Sequence, residues 1–209
     1  AHQPCPAPIM RGVFMKIYFD GSSFAYGSEL ENIEDRYSNI IANYFGVEEY
    51  NISKGGASNN RMCRQLLIDH NIEDFDFAVI QMSMASRTEW YNPKKGFDDI
   101  RPTSTEGTGE WKEHWWYYYK NVYDNIYGNV YEQMFSTAIR DHCKVHNVPL
   151  ILATCRSANP SKYTCIPTTF EFDIDMNADC YPKATYGHPN KEGHALIAKD
   201  IIELYETLS

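Results

Sequence analysis

Apolar residues in this chain alternate between short runs of strand length and stripes at helical spacing. Val13 to Phe19 is rich in Val, Ile, Phe and Tyr and breaks into Asp20-Gly21-Ser22-Ser23. Such a run, bounded by turn residues, predicts a buried parallel strand ending in a sharp turn. Tyr37, Ile40, Ile41, Tyr44 and Phe45 fall at helical spacing, with Gly46 as a stop. A short second strand is predicted over 48–53, followed by a turn at Lys54-Gly55-Gly56-Ala57 and a helix capped by Ser58 that runs to about His70. Residues 76–83 read as a third strand and 148–154 as a fourth, with a fifth near 169–174. Residues 93–110 read as a polar, lid-like loop. From Trp111 to about His146 the pattern is helical, with Gly128 as its point of interruption, and a last helix is predicted over 190–208. This order predicts an α/β protein, a three-layer α/β/α sandwich around a central parallel sheet of about five strands. Residues 12–209 read as one domain, and 1–11, with Pro4, Pro6 and Pro8, as a flexible tail or residues added to the natural chain.

Composition narrows the function. At 209 residues the chain is long enough for a single core. A net charge of −9 argues against a nucleic-acid binder, which needs a basic face, and against a polybasic membrane patch. No apolar run reaches the ~18–20 residues of a membrane span, and no signal-peptide core is visible, so a cytoplasmic location is expected. The six cysteines include no CxxC pair, which weakens a zinc or thioredoxin-like reading. Free thiols are expected ahead of a Cys165–Cys180 disulfide.

The first predicted strand carries the leading candidate for chemistry. In an open α/β sheet, ligands collect at the carboxyl ends of strands. Ser23 stands there between Gly21 and Gly27. A serine nucleophile needs a base and donors for the developing oxyanion. The base candidate is His188, in a loop just before the last helix, where Pro189 favours the helix start. His194, further in, reads as a packing or capping residue. Asp173 to Asp179 has the carboxylate spacing of a calcium loop but lacks its glycine and its final glutamate, so solvated loop carboxylates are expected and no metal. Arg87 and Glu89 are expected to form a local ion pair ahead of any substrate contact. The aromatic run from Trp111 to Tyr131 is too dense for one helix face, so part of it is expected to be exposed or to cover the site.

Three segments, in order, carry a family resemblance. Gly21-Ser22-Ser23-Phe24-Ala25-Tyr26-Gly27 resembles the GDSxxxG block of the GDSL-type, or SGNH, hydrolases. Asn51-Ile52-Ser53-Lys54-Gly55-Gly56-Ala57-Ser58 resembles their second block, and His188-Pro189-Asn190-Lys191-Glu192-Gly193-His194 their HPNxxGH ending. The resemblance implies a flavodoxin-like three-layer fold and hydrolysis of a small acyl ester or an O-acylated carbohydrate through an acyl-serine, with no cofactor. By position it makes Ser23 the nucleophile, His188 the base, and the N–H groups of Ser23 and Gly56 oxyanion donors. The sequence departs from the pattern at Ser22, Ala85 and Thr185, where the family has Asp, Asn and Asp. Ser83 or Ser86, or more remotely Asn59, is the candidate replacement for the missing Asn. Thr185 or an upstream acid, Asp179 first and then Asp175 and Asp173, is the candidate third member. The alternatives are a catalytically impaired binding or virion-associated module and an acyltransferase; the opening segment resembles phage or environmental members more than secreted lipases. Oligomeric state stays open.

Overall fold

A computed structural model describes residues 15–105, 111–155, 173–176 and 178–208. The expected tail over 1–11 and most of the expected fifth strand lie outside these residues. Five parallel strands form the central sheet: β1 (Ile17–Gly21), β2 (Glu49–Asn51), β3 (Phe77–Met82), β6 (Leu150–Thr154) and β7 (Ile174–Asp175), in the order β2-β1-β3-β6-β7. Ile17 pairs with Glu49 on one side and Phe77 on the other. Side chains alternate between faces along a strand. Ile17 and Phe19 therefore pack on one face with α2 (Tyr37–Phe45) and α6 (Lys191–Leu208), while Tyr18 packs on the other with α3 (Asn59–Arg64) and α5 (Asn125–Val145). Both faces are covered, so β1 and β3 are buried at every position and their sequences read as continuous apolar runs. Ile197, Ala198 and Ile201 fix α6 to the sheet without solvent exposure; each of the two isoleucines contributes roughly 1.5–3 kcal/mol by its burial.

Two expectations are corrected. The segment read as a lid-like loop contains the second strand of a hairpin, β4 (Thr88–Asn92) and β5 (Gly96–Ile100), followed by a 3₁₀ turn over Pro102–Thr105. The hairpin stands outside the main sheet and buries only its ends, so its sequence lacks the apolar alternation that marks a half-buried strand. The aromatic helix is also two helices, α4 (Lys112–Asn121) and α5, and the break falls at Val122–Asp124 rather than at Gly128. Asp124 caps α5 by accepting from the Ile126 N–H at 2.7 Å. Gly128 lies inside α5. The break lets Trp111 and Trp115 pack on Trp90 of the hairpin, with ring centroids 5.0 and 5.4 Å away. Among the described residues, no helix is long and apolar enough to cross a membrane.

Candidate active site

The carboxyl end of β1 leads directly into α1 (Ser23–Tyr26), so Ser23 is the first residue of a single helical turn. Gln81 of β3 holds this corner. Its Oε1 accepts from the Ser22 N–H at 2.9 Å and the Ser22 hydroxyl at 3.2 Å. Ser22 is thus buried structure, standing where the family's acid would be. The chain leaves α1 through Gly27, in the left-handed region, and Glu29 follows with φ 70°. A non-glycine residue there is strained, and strain of this kind marks segments held by their surroundings.

What holds Glu29 is the loop before α6. Its Oε1 accepts from the Tyr186 N–H at 2.8 Å, and its Oε2 accepts from the His188 N–H at 3.2 Å. The same Oε2 lies 2.6 Å from His188 Nδ1. A carboxylate on Nδ1 fixes the proton there and leaves Nε2 as the basic nitrogen. Desolvation pushes Glu29 upward, but the Tyr186 and His188 N–H groups and the imidazole outweigh it and hold the carboxyl below its ordinary range. Phe24, the neighbour of Ser23, meets the imidazole edge-on with centroids 5.3 Å apart. Ser23 Oγ and His188 Nε2 have no hydrogen-bond partner among the described residues.

The acid on His188 is therefore Glu29, six positions after Ser23, and neither of the expected third members occupies that place. Thr185 and Asp179 are exposed. Asp173 instead accepts from the Leu152 N–H at 2.6 Å. No spacing rule pointed to Glu29. The glycine of the last block has a steric reason: a Cβ on Gly193 would collide with the Pro182 carbonyl. His194 lies buried, its Nδ1 accepting from the Tyr37 N–H at the start of α2, and burial together with the charges of His188, Lys183 and Arg36 pulls it down to about 4.

On the other side of Ser23, the turn at 54–57 is tied to β1 by the Lys54 N–H, which donates to the Gly21 carbonyl at 3.1 Å. Gly56 has φ 84°, and a Cβ there would stand 2.8 Å from Arg101 Nη1. The N–H groups of Ser23 and Gly56 have no acceptor among the described residues, as oxyanion donors require. Ser83 is buried, its Oγ accepting from Arg87 Nη1 at 2.8 Å and its N–H donating to Asn59 Oδ1 at 2.6 Å. Asn59 is thereby engaged with the backbone of Ser83, and Ser86 offers its carbonyl to the Tyr119 hydroxyl at 2.8 Å. The expected Arg87–Glu89 ion pair does not form. Glu89 takes Arg64 in a two-point contact of 2.8 and 2.7 Å, while Arg87 turns inward. Glu89 lies within β4 and faces Arg64 of α3, whereas Arg87 lies in the turn before β4 and reaches back to Ser83. A cavity of about 220 Å³ abuts this corner, lined by Asn59, Arg87, Tyr118, Tyr131 and Glu132 among others.

Two buried groups sit beneath. Asp20 pairs with Arg61 at 2.9 Å, and burial pushes it up to about 6 against the pull of that guanidinium. Burial likewise pushes the Cys155 thiol up to about 11. Cys180 is a free thiol; Cys165 lies outside the described residues.

No family model and no curated protein matches the sequence. Solved structures do match the fold. TesA superposes with a TM-score of 0.58 at 9% identity, covering 93% of this chain and 100% of its own. The psychrotrophic esterase EstA from Pseudoalteromonas sp., in a form inhibited by monoethylphosphonate, gives 0.52 at 14% identity, over 92% and 97%. A protein assigned to the lipolytic G-D-S-L family, from Desulfitobacterium hafniense DCB-2, gives 0.50 at 13% identity, over 90% and 97%. The chain has the fold of the GDSL-type, or SGNH, hydrolases: a five-stranded parallel sheet between helical layers.

Proposed function

We propose that this protein is a serine carboxylic-ester hydrolase that removes a small acyl group, with Ser23 as nucleophile, His188 as general base and Glu29 as the acid that holds the base. The observation that carries this reading is the Glu29–His188 contact at 2.6 Å, beside the loop that begins with Ser23. A hydroxyl at pH 7 needs a proton acceptor, and an imidazole needs a partner for the charge it gains. Ser23 Oγ attacks the ester carbonyl carbon while His188 Nε2 takes its proton. The oxygen that becomes negative is met by the Ser23 and Gly56 N–H groups. The C–O bond to the alcohol breaks as His188 returns the proton to the leaving oxygen. Water then attacks acyl-Ser23, His188 takes a proton from it, and Ser23 recovers that proton as the carboxylic acid departs. Hydrogen bonds of this kind are often long in an empty site and tighten with substrate bound, which accounts for the unpartnered Ser23 Oγ. O-acylated carbohydrate is the substrate class we favour, because exposed and half-buried tryptophan and tyrosine rings crowd the hairpin beside the site.

A fluorophosphonate probe located by mass spectrometry tests the proposal. It is expected on Ser23, and p-nitrophenyl acetate hydrolysis is expected to be lost in Ser23→Ala. Equal hydrolysis by the two proteins, with no label, would leave the binding-module reading.

A further inference from the structure

Six arginines lie among the described residues, and four of them face a carboxylate. Arg36 pairs with Glu49, Arg61 with Asp20, Arg64 with Glu89, and Arg140 with Asp173. Arg87 and Arg101 have no ion pair among the described residues, in a chain whose net charge is −9. These two share one corner. Arg87 Nη1 reaches Ser83 Oγ at 2.8 Å and the Ala57 carbonyl at 3.5 Å. Arg101 Nη1 lies against Gly56, the residue next to Ala57. Asp99, whose charge acts on Arg87, is already engaged: its Oδ1 takes the Ser58 N–H and hydroxyl at 2.9 and 2.7 Å, and its Oδ2 takes Lys54 at 3.0 Å.

The corner is also braced. The Tyr119 hydroxyl is shared between the carbonyls of Ser86 and Ile100, at 2.8 and 3.1 Å. These are the residues immediately before Arg87 and Arg101, so one side chain of α4 ties the two arginine-bearing segments together. Burial, and behind it the neighbouring Arg101, disfavours the charge on Arg87 and outweighs the opposing pull of Cys155, Asp99 and Tyr119. Guanidinium groups offer paired N–H donors that match carboxylate and phosphate oxygens, and they cannot discharge by losing a proton.

We propose that Arg87 and Arg101 form a subsite for an anionic group carried by the substrate itself, so that the ester presented to Ser23 belongs to an acidic molecule such as an O-acetylated sugar acid or sugar phosphate. This rests on the hydrolase reading for its place in the reaction, but the binding of the anion stands independently of turnover. Arg101 lies against Gly56, whose N–H is a proposed oxyanion donor, so the subsite adjoins the proposed reacting centre.

The test compares O-acetylated glucuronic acid and O-acetylated glucose 6-phosphate with O-acetylated glucose, with p-nitrophenyl acetate as a probe of hydrolysis alone. One charged contact predicts a preference for the acidic esters of roughly 10- to 100-fold in kcat/KM. The preference should shrink with added salt and fall to about one in Arg101→Gln, with Arg101→Lys between. Arg101 is exposed, so its replacement does not threaten folding. The favoured acidic ester separates carboxylate from phosphate. Hydrolysis of p-nitrophenyl acetate with no preference among the sugars overturns the subsite and leaves the hydrolase. Where wild type hydrolyses nothing, calorimetry with glucuronate and glucose 6-phosphate decides: Arg101-dependent binding upholds the subsite and sinks the hydrolase, and no binding overturns both.

Discussion

His188 and His194 stand six residues apart around the start of α6, and their Nδ1 atoms meet opposite kinds of partner. His188 meets a carboxylate at Nδ1, in a loop whose imidazole also packs on Phe24, the neighbour of Ser23. His194 meets a backbone N–H at Nδ1, stacks on Tyr37 with centroids 5.8 Å apart, and leaves Nε2 buried without a partner. An acceptor at Nδ1 prepares an imidazole to gain a proton, and a donor there forbids it. The partner, not the residue type or its place in a motif, separates a group fit for proton transfer from one that caps a helix.

The largest test of this contrast is Glu29→Gln. Replacing the carboxylate on an imidazole costs on the order of 10⁴ in kcat where the tautomer is lost. A similar fall in p-nitrophenyl acetate turnover is expected here, with Thr185→Ala and Asp179→Asn within about twofold of wild type. A normal rate in Glu29→Gln would break the comparison.

His194 should show its effect in stability. Between its ordinary value of 6.5 and its folded value of about 4, the unfolded chain takes up a proton that the folded protein refuses. Stability is therefore complete above this window and declines as pH falls through it, by roughly 3 kcal/mol at the limit. Urea titrations from pH 4 to 7 should show this slope in wild type and not in His194→Gln. A slope unchanged by the substitution would remove His194 as the sensor.

Asp20 sharpens the same curve in the opposite sense. Its folded value of about 6 exceeds the ordinary 3.8, so the folded protein keeps a proton that the unfolded chain has released. This group lowers stability progressively as pH rises from about 4 through about 6, by ~2–3 kcal/mol. Asp20→Asn should steepen the net rise in stability over that range. A flatter curve would show that the Arg61 contact, rather than burial, governs Asp20.

The layers of the sheet were legible because β1 and β3 are covered on both faces and leave unbroken apolar runs. The turns and helix starts at Ser22-Ser23, Gly56 and His188 were legible because such places restrict sequence locally; Gly193, pressed on the Pro182 carbonyl, shows the constraint directly. Glu29 and Arg101 were not. Each meets its partner through a contact between segments distant in sequence, and neither lies in an element whose periodicity betrays its direction. The hairpin was missed because it is largely exposed, and with it the means by which Arg101 arrives over Gly56. Arg87 was noticed and given the wrong partner, since adjacency in sequence favoured Glu89 while α3 brings Arg64 to Glu89 across the fold.

Glu29 and His188 are separated by 159 positions, whereas Glu29 and Ser23 share one short loop. A ribosome extruding this chain presents the hydroxyl and the carboxylate early, yet withholds the ring that would join them until all five described strands of the sheet have emerged. Under the chemistry proposed, a nascent or truncated copy would be mute toward esters, and turnover would report that the protein had closed upon itself.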